Sequence, residues 1–91
     1  MTTIYKFPLR VTDIQELELP KGARLLTVQA QRGTPCLWAV VDDQEAEVEY
    51  WRILTFGTGN PMLADAQYSY VSTYQLMDGD LIFHVFARKM S

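Results

Sequence analysis

Hydrophobic and polar positions alternate with period two along most of this chain. Ile4, Lys6 and Pro8 alternate with Tyr5, Phe7 and Leu9, which predicts a first strand that Pro8 ends or confines to a sheet edge. In TDIQELELP, Ile14, Glu16 and Glu18 alternate with Gln15, Leu17 and Leu19. That predicts a second, partly exposed strand, closed by Pro20 and followed by a Lys21-Gly22 turn. In ARLLTVQAQ, Leu26, Val28 and Ala30 point one way and Leu25, Thr27, Gln29 and Gln31 the other, the signature of a half-buried antiparallel strand. Arg32-Gly33-Thr34-Pro35 is a tight connection into CLWAVVD, so Leu26–Gln31 and Cys36–Val41 form a hairpin. CLWAVV is apolar on both faces, which predicts a central strand covered on each side.

DDQEAEVE is a loop or a single helical turn, and VEYWRILTF a long strand rich in aromatic and β-branched residues. Asn60-Pro61 has the chemistry of a helix N-cap and first helical position, so a short helix is expected near 61–67. YSYVSTYQLM and DLIFHVFAR are the last two strands, joined by a hairpin turn at Asp78-Gly79. The expected fold is all-β (or β-rich α+β), a small antiparallel sandwich or barrel of six to seven strands with at most that one short helix.

Length and composition narrow the class of protein. Ninety-one residues make a single domain, 1–91. A 48% hydrophobic, 21% charged chain is that of a folded protein. Its net charge of −3 argues against a general nucleic-acid binder, which needs a basic face to displace counterions from phosphates. One cysteine, Cys36, excludes an internal disulfide framework and fits a reducing compartment. The start MTTIYKFPLR lacks the pattern of a signal peptide, and the longest unbroken apolar run, Leu37 to Val41, is too short to span a bilayer. No membrane association is expected.

FGTGNP, residues 56–61, is the stretch closest to a ligand-binding motif. A P-loop needs a lysine and a hydroxyl after its last glycine, and none follows Gly59; the dinucleotide fingerprint needs three glycines. Turn chemistry explains the stretch: Gly57 and Gly59 supply positive φ and Asn60 a cap. The alternative is an anion nest formed by Gly57, Thr58, Gly59 and Asn60. His84 is the only histidine and shares a face with Ile82 and Phe86. With Cys36 as the sole thiol, neither a zinc site nor a convincing Cys–His nucleophile pair is readable, so no catalytic residue, metal or cofactor is assigned.

Five of the eleven carboxylates, Asp42, Asp43, Glu45, Glu47 and Glu49, lie together. If the stretch is extended, Glu45, Glu47 and Glu49 share one face. They are then either a solvated edge that discourages aggregation or a patch that docks on a basic partner, with Tyr50 and Trp51 as aromatic anchors. On the second reading, reversing the three glutamates to lysine abolishes binding without unfolding the domain. Tyr68, Tyr70 and Tyr74 are expected on one face of their strand, as core or as a contact surface.

The segments IYKFPL, LPKGARLLTVQAQRGTPCLWAVVD, FGTGNP and YVSTYQLMDGDLIFHVF, in this order, resemble a family of small proteins encoded by bacteriophages and prophages, catalogued as a domain of unknown function. The likeness covers nearly the whole chain. Other members tend to have histidine where this chain has Asn60. The resemblance implies no activity or catalytic residue. It implies a context: a phage accessory product in the cytoplasm of an infected bacterium. The expected function is therefore non-catalytic binding to a host protein or protein–nucleic acid complex with a basic surface, of the kind that anti-CRISPR proteins inhibit. An oligomeric binder of small anions or nucleotides and a virion-associated structural protein are the alternatives, and a homodimer through an edge strand is expected.

Overall fold

The computed structural model describes residues 1–62 and 67–90. Seven strands follow in chain order: β1 (Thr2–Pro8), β2 (Ile14–Pro20), β3 (Arg24–Gln31), β4 (Thr34–Asp42), β5 (Val48–Gly57), β6 (Ser69–Leu76) and β7 (Leu81–Lys89). They form two antiparallel sheets, β1-β4-β3 and β2-β5-β7-β6, packed face to face. The expected all-β sandwich is what the chain adopts. Among the described residues the only helical element is a 3-10 turn at Met77–Gly79. The short helix expected over 61–67 falls on residues 63–66, outside the described residues.

The alternation places the core. β4 turns Leu37, Ala39 and Val41 inward; β5 and β7 turn in Ile53, Val85 and Ala87, and Leu19 and Val28 complete the layer. Each large aliphatic side chain so buried contributes roughly 1.5–3 kcal/mol by removal from water. β4 is the central strand of its sheet, as its two apolar faces predict. Its outward face is only partly covered: Cys36 is buried, Trp38 and Val40 half-buried.

Two turns show how sequence sets connection. Gln31 pairs with Thr34, so Arg32-Gly33 is a two-residue hairpin loop with both residues at positive φ, 52° and 82°. Glycine adopts this freely, whereas arginine does so at a steric cost. Arg32→Asn is expected to stabilise the protein by ~0.5 kcal/mol, visible as a melting temperature a few degrees higher. The β6–β7 connection is longer than the Asp78-Gly79 turn expected from sequence. Leu76 pairs with Leu81, and Met77, Asp78 and Gly79 all take positive φ before Asp80 N–H returns to Met77 O at 3.0 Å.

Two β-bulges revise the predicted faces. The β3–β4 register shifts between Leu25 and Thr27, so Leu25 packs on the core and Leu26 points out. The β6–β7 register shifts between Tyr70 and Ser72. Tyr70 therefore lies outside at 59% exposure while Tyr74 is buried at 2%. The two tyrosines do not share a face, because the extra residue inverts the alternation.

The bulged strands meet where the two sheets adjoin, and side chains rather than a ladder connect them. Ser72 Oγ donates to Val28 O at 2.8 Å; it lies 3.0 Å from Thr27 Oγ1 and accepts from Gln29 Nε2 at 3.0 Å. Ser72→Ala is expected to cost about 1.5 kcal/mol, since it orphans a buried carbonyl and two side-chain partners. A urea titration measures this, and Gln29→Ala, exposed and carrying only its own bonds, should shift the midpoint less.

Candidate functional site

The outward face of β2-β5-β7-β6 carries most of the chemistry of the chain. Its residues line up in rows across the strands. One row is Ile14–Leu54–Phe86–Tyr70, the next Glu16–Arg52–Arg88, and a third Phe56–His84–Thr73. Phe86 packs edge-on against both Phe56 and Tyr70, with ring centroids 6.0 and 5.6 Å apart. Ile14, Tyr50, Tyr70 and Ile82 stand largely in solvent.

His84 binds the FGTGNP connection to this face. Its Nε2 lies 2.7 Å from Thr58 Oγ1 and its Nδ1 3.0 Å from Thr73 Oγ1, which in turn lies 2.7 Å from the Tyr70 hydroxyl. Sequence reasoning missed this chain. It joins residues from a loop and two strands, and only the cross-strand register brings Thr73 opposite His84. Hydroxyl groups on both ring nitrogens hold the imidazole in orientation. Cys36 lies on the other sheet, buried, its thiol donating to Thr34 O, so it does not meet His84.

Two of the four amides of the expected anion nest already have backbone partners. Thr58 N–H donates to Ile82 O at 3.2 Å and Asn60 N–H to Gly57 O at 3.1 Å, so these amides are occupied. Only Gly59 of the two glycines has positive φ, at 87°. At Gly57 a Cβ would stand 2.8 Å from the Asn60 side-chain nitrogen, so a substitution there would make that side chain shift.

The acidic stretch is not one continuous face. Residues 43–47 form the turn and coil between β4 and β5. Asp42 and Asp43 accept from the Met1 ammonium at 3.2 and 3.0 Å. The Gln44 backbone N–H, then that ammonium, hold the Asp42 carboxyl below its ordinary range; for Asp43 the ammonium comes first, then the Gln44 side chain. Glu45 accepts from Glu47 N–H, and Glu47 pairs with Lys21 at 3.1 Å, which raises the lysine. Such exposed pairs are weak and leave the carboxylates open to a partner.

Glu49 departs from the expected patch. It lies on the inward side of β5 at 4% exposure, accepts from the Gly22 N–H and from Trp51 Nε1 at 2.9 Å, and has Lys89 Nζ 4.0 Å away. Trp51 shares that side and packs on the core, so it is not an exposed anchor. Tyr50 points out, opposite Glu18, at 47% exposure. The triple reversal of Glu45, Glu47 and Glu49 is therefore no test of binding, because its third member unfolds the domain.

A shallow groove of about 620 Å³ runs beside the FGTGNP connection, between Asp13, Ile14 and Arg52 on one side and Asn60, Tyr68 and Arg88 on the other. Arg52 is held by Glu16 at 3.1 Å, and that carboxylate, then the Tyr68 hydroxyl, push its already high pKa further up. Among the described residues, no three His, Cys, Asp or Glu side chains gather as a metal would require, and no helix is long and apolar enough to cross a membrane.

The fold and this face define an antiparallel β-sandwich with one sheet surface left open, aromatic at its centre and charged along one row. The chain belongs to the family described as Domain of unknown function (DUF7352), whose model matches residues 1–91. No curated protein and no solved structure matches it.

Proposed function

We propose that this protein is a stoichiometric, non-catalytic binding protein that docks on a basic surface of a host defence or nucleic-acid-handling complex. The reading includes its origin as a phage accessory product acting in the cytoplasm of an infected bacterium. The observation that carries it is the pairing of an exposed acidic turn with an exposed aromatic. Asp43, Glu45 and Glu47 occupy the turn into β5, and Tyr50 stands out from that strand with Glu18 opposite. Surface carboxylates in weak, solvent-exposed pairs still accelerate encounter with lysine- or arginine-lined grooves, and a tyrosine adds contact area at low entropy cost.

The test is functional. Produced in a bacterium whose CRISPR-type immunity targets a test phage, the protein is expected to restore plaque formation. Glu45→Lys/Glu47→Lys should lose that effect and slow association with the purified effector complex, most visibly at low salt. Glu47 is exposed and Glu45 half-buried with only a local turn hydrogen bond, so the urea midpoint should fall by no more than the equivalent of about 1 kcal/mol of stability. Plaque counts unchanged by folded wild-type protein would remove the reading.

A further inference from the structure

On the open sheet face one cation, Arg88, has no counterpart among the described residues. Arg52 and Arg88 are direct cross-strand neighbours on β5 and β7. Two like charges opposite one another destabilise a sheet. Arg52 is neutralised by Glu16, whereas no described residue pairs with Arg88. Arg88 is half-buried, its long stem lying on the sheet face. It lies in the groove beside FGTGNP, whose apolar lining is Ile14, Leu54, Phe56 and Tyr68 and whose rim carries the Asp13 carboxylate and Asn60. In a chain of net charge −3, Arg88 is thus a cation set beside an apolar floor, with the Glu16–Arg52 pair next to it.

We propose that this groove binds a small anion carrying a flat apolar body, the chemistry shared by aromatic carboxylates, phenyl phosphates and nucleoside monophosphates. Arg88 takes the anionic group, with Arg52 beside it. The planar body lies on Leu54 and Phe56, and the Asn60 side-chain amide at the rim supplies polar contact. The volume falls within the range of small-molecule sites. An anion here would give Arg88 the counter-charge that no described residue supplies, so binding and stability are coupled. This site uses groups distinct from the acidic turn and stands or falls separately from the partner-binding reading.

The experiment is a thermal-shift and calorimetric titration of the full chain with phenyl phosphate, phenylacetate, inorganic phosphate and benzyl alcohol. Phenyl phosphate or phenylacetate should raise the melting temperature and bind at least about tenfold more tightly than inorganic phosphate, because only they fill the apolar floor. Benzyl alcohol, lacking charge, should not shift it. Arg88→Gln should lose at least about tenfold in affinity. That variant removes a like-charge contact, so without ligand it should melt no lower than wild type, which separates lost binding from lost folding. Preference for the phosphate over the carboxylate identifies nucleotide-like ligands, and the reverse preference aromatic acids. No binding by either aromatic anion, or equal affinity in wild type and Arg88→Gln, overturns the site.

Discussion

Glu49→Ala is expected to destabilise the protein by about 3 kcal/mol, and Glu49→Lys to prevent folding. The carboxylate is the acceptor for two donors that have no other partner: the Gly22 N–H from the β2–β3 turn and the indole N–H of Trp51. Alanine leaves both donors facing a small void at the edge of the core, each losing its hydrogen bond in a site that water reaches poorly. Lysine would set an ammonium against those same donors and beside Lys89. Glu49→Gln keeps one oxygen acceptor and should fall between wild type and alanine. Equilibrium urea unfolding followed by tryptophan fluorescence reads all three, because Trp51 reports on its own lost partner. Glu47→Ala is the control: its pair with Lys21 is exposed, and the midpoint should hardly move. A Glu49→Ala midpoint equal to that of the control would show that this carboxylate is not structural.

The second large effect is at Tyr74. This is among the largest fully buried side chains, packed against Phe83 with ring centroids 5.4 Å apart. Truncation to alanine removes that ring from the core and is expected to cost about 3–5 kcal/mol, much of the stability of a domain of this size. Tyr74→Phe keeps the packing and should be close to neutral at pH 7. Only wild type carries the phenol, so Tyr74→Phe separates from it as pH rises. Burial raises the Tyr74 pKa from its ordinary value of 10.0, because the interior disfavours the phenolate. The raised folded pKa means that stability is fully present below pH 10 and falls as pH climbs from there toward the folded value, where the unfolded chain ionises first. Urea midpoints measured between pH 8 and about 11 should decline for wild type and decline less for Tyr74→Phe. Parallel curves would show that the phenol is not sensing burial.

How far the chain could be read in advance follows from which forces are local. The hairpins were legible because Gly33 and Gly79 mark positive φ, and β4 was legible as a central strand because both its faces are apolar. The faces of β3 and β6 were not. A bulge adds one residue without a sequence signal of its own, so simple alternation puts Leu26 on the face of Val28 and Tyr74 on the face of Tyr70, and the structure separates both pairs. Glu49 was misplaced for a related reason. Alternation put it on the same side as Trp51 and Ile53, which is correct, but a charged residue was taken to mark the wet side of the strand. Its partner at Gly22 lies 27 residues away, and nothing near Glu49 announces it. The His84 chain has the same character: Thr58, Thr73 and Tyr70 are ordinary surface residues until pairing brings them together.

The order of strands within the sheets has a consequence for synthesis. β1, β3 and β4 form one sheet and are all complete by Asp42, while β2, made between them, pairs only with β5. A nascent chain can thus close its first sheet at the ribosome while β2 waits, with both long edges bare, for a partner not yet translated. The pace at which the ribosome delivers residues 48–57 therefore sets how long that strand stays open to capture by chaperones or by neighbouring chains.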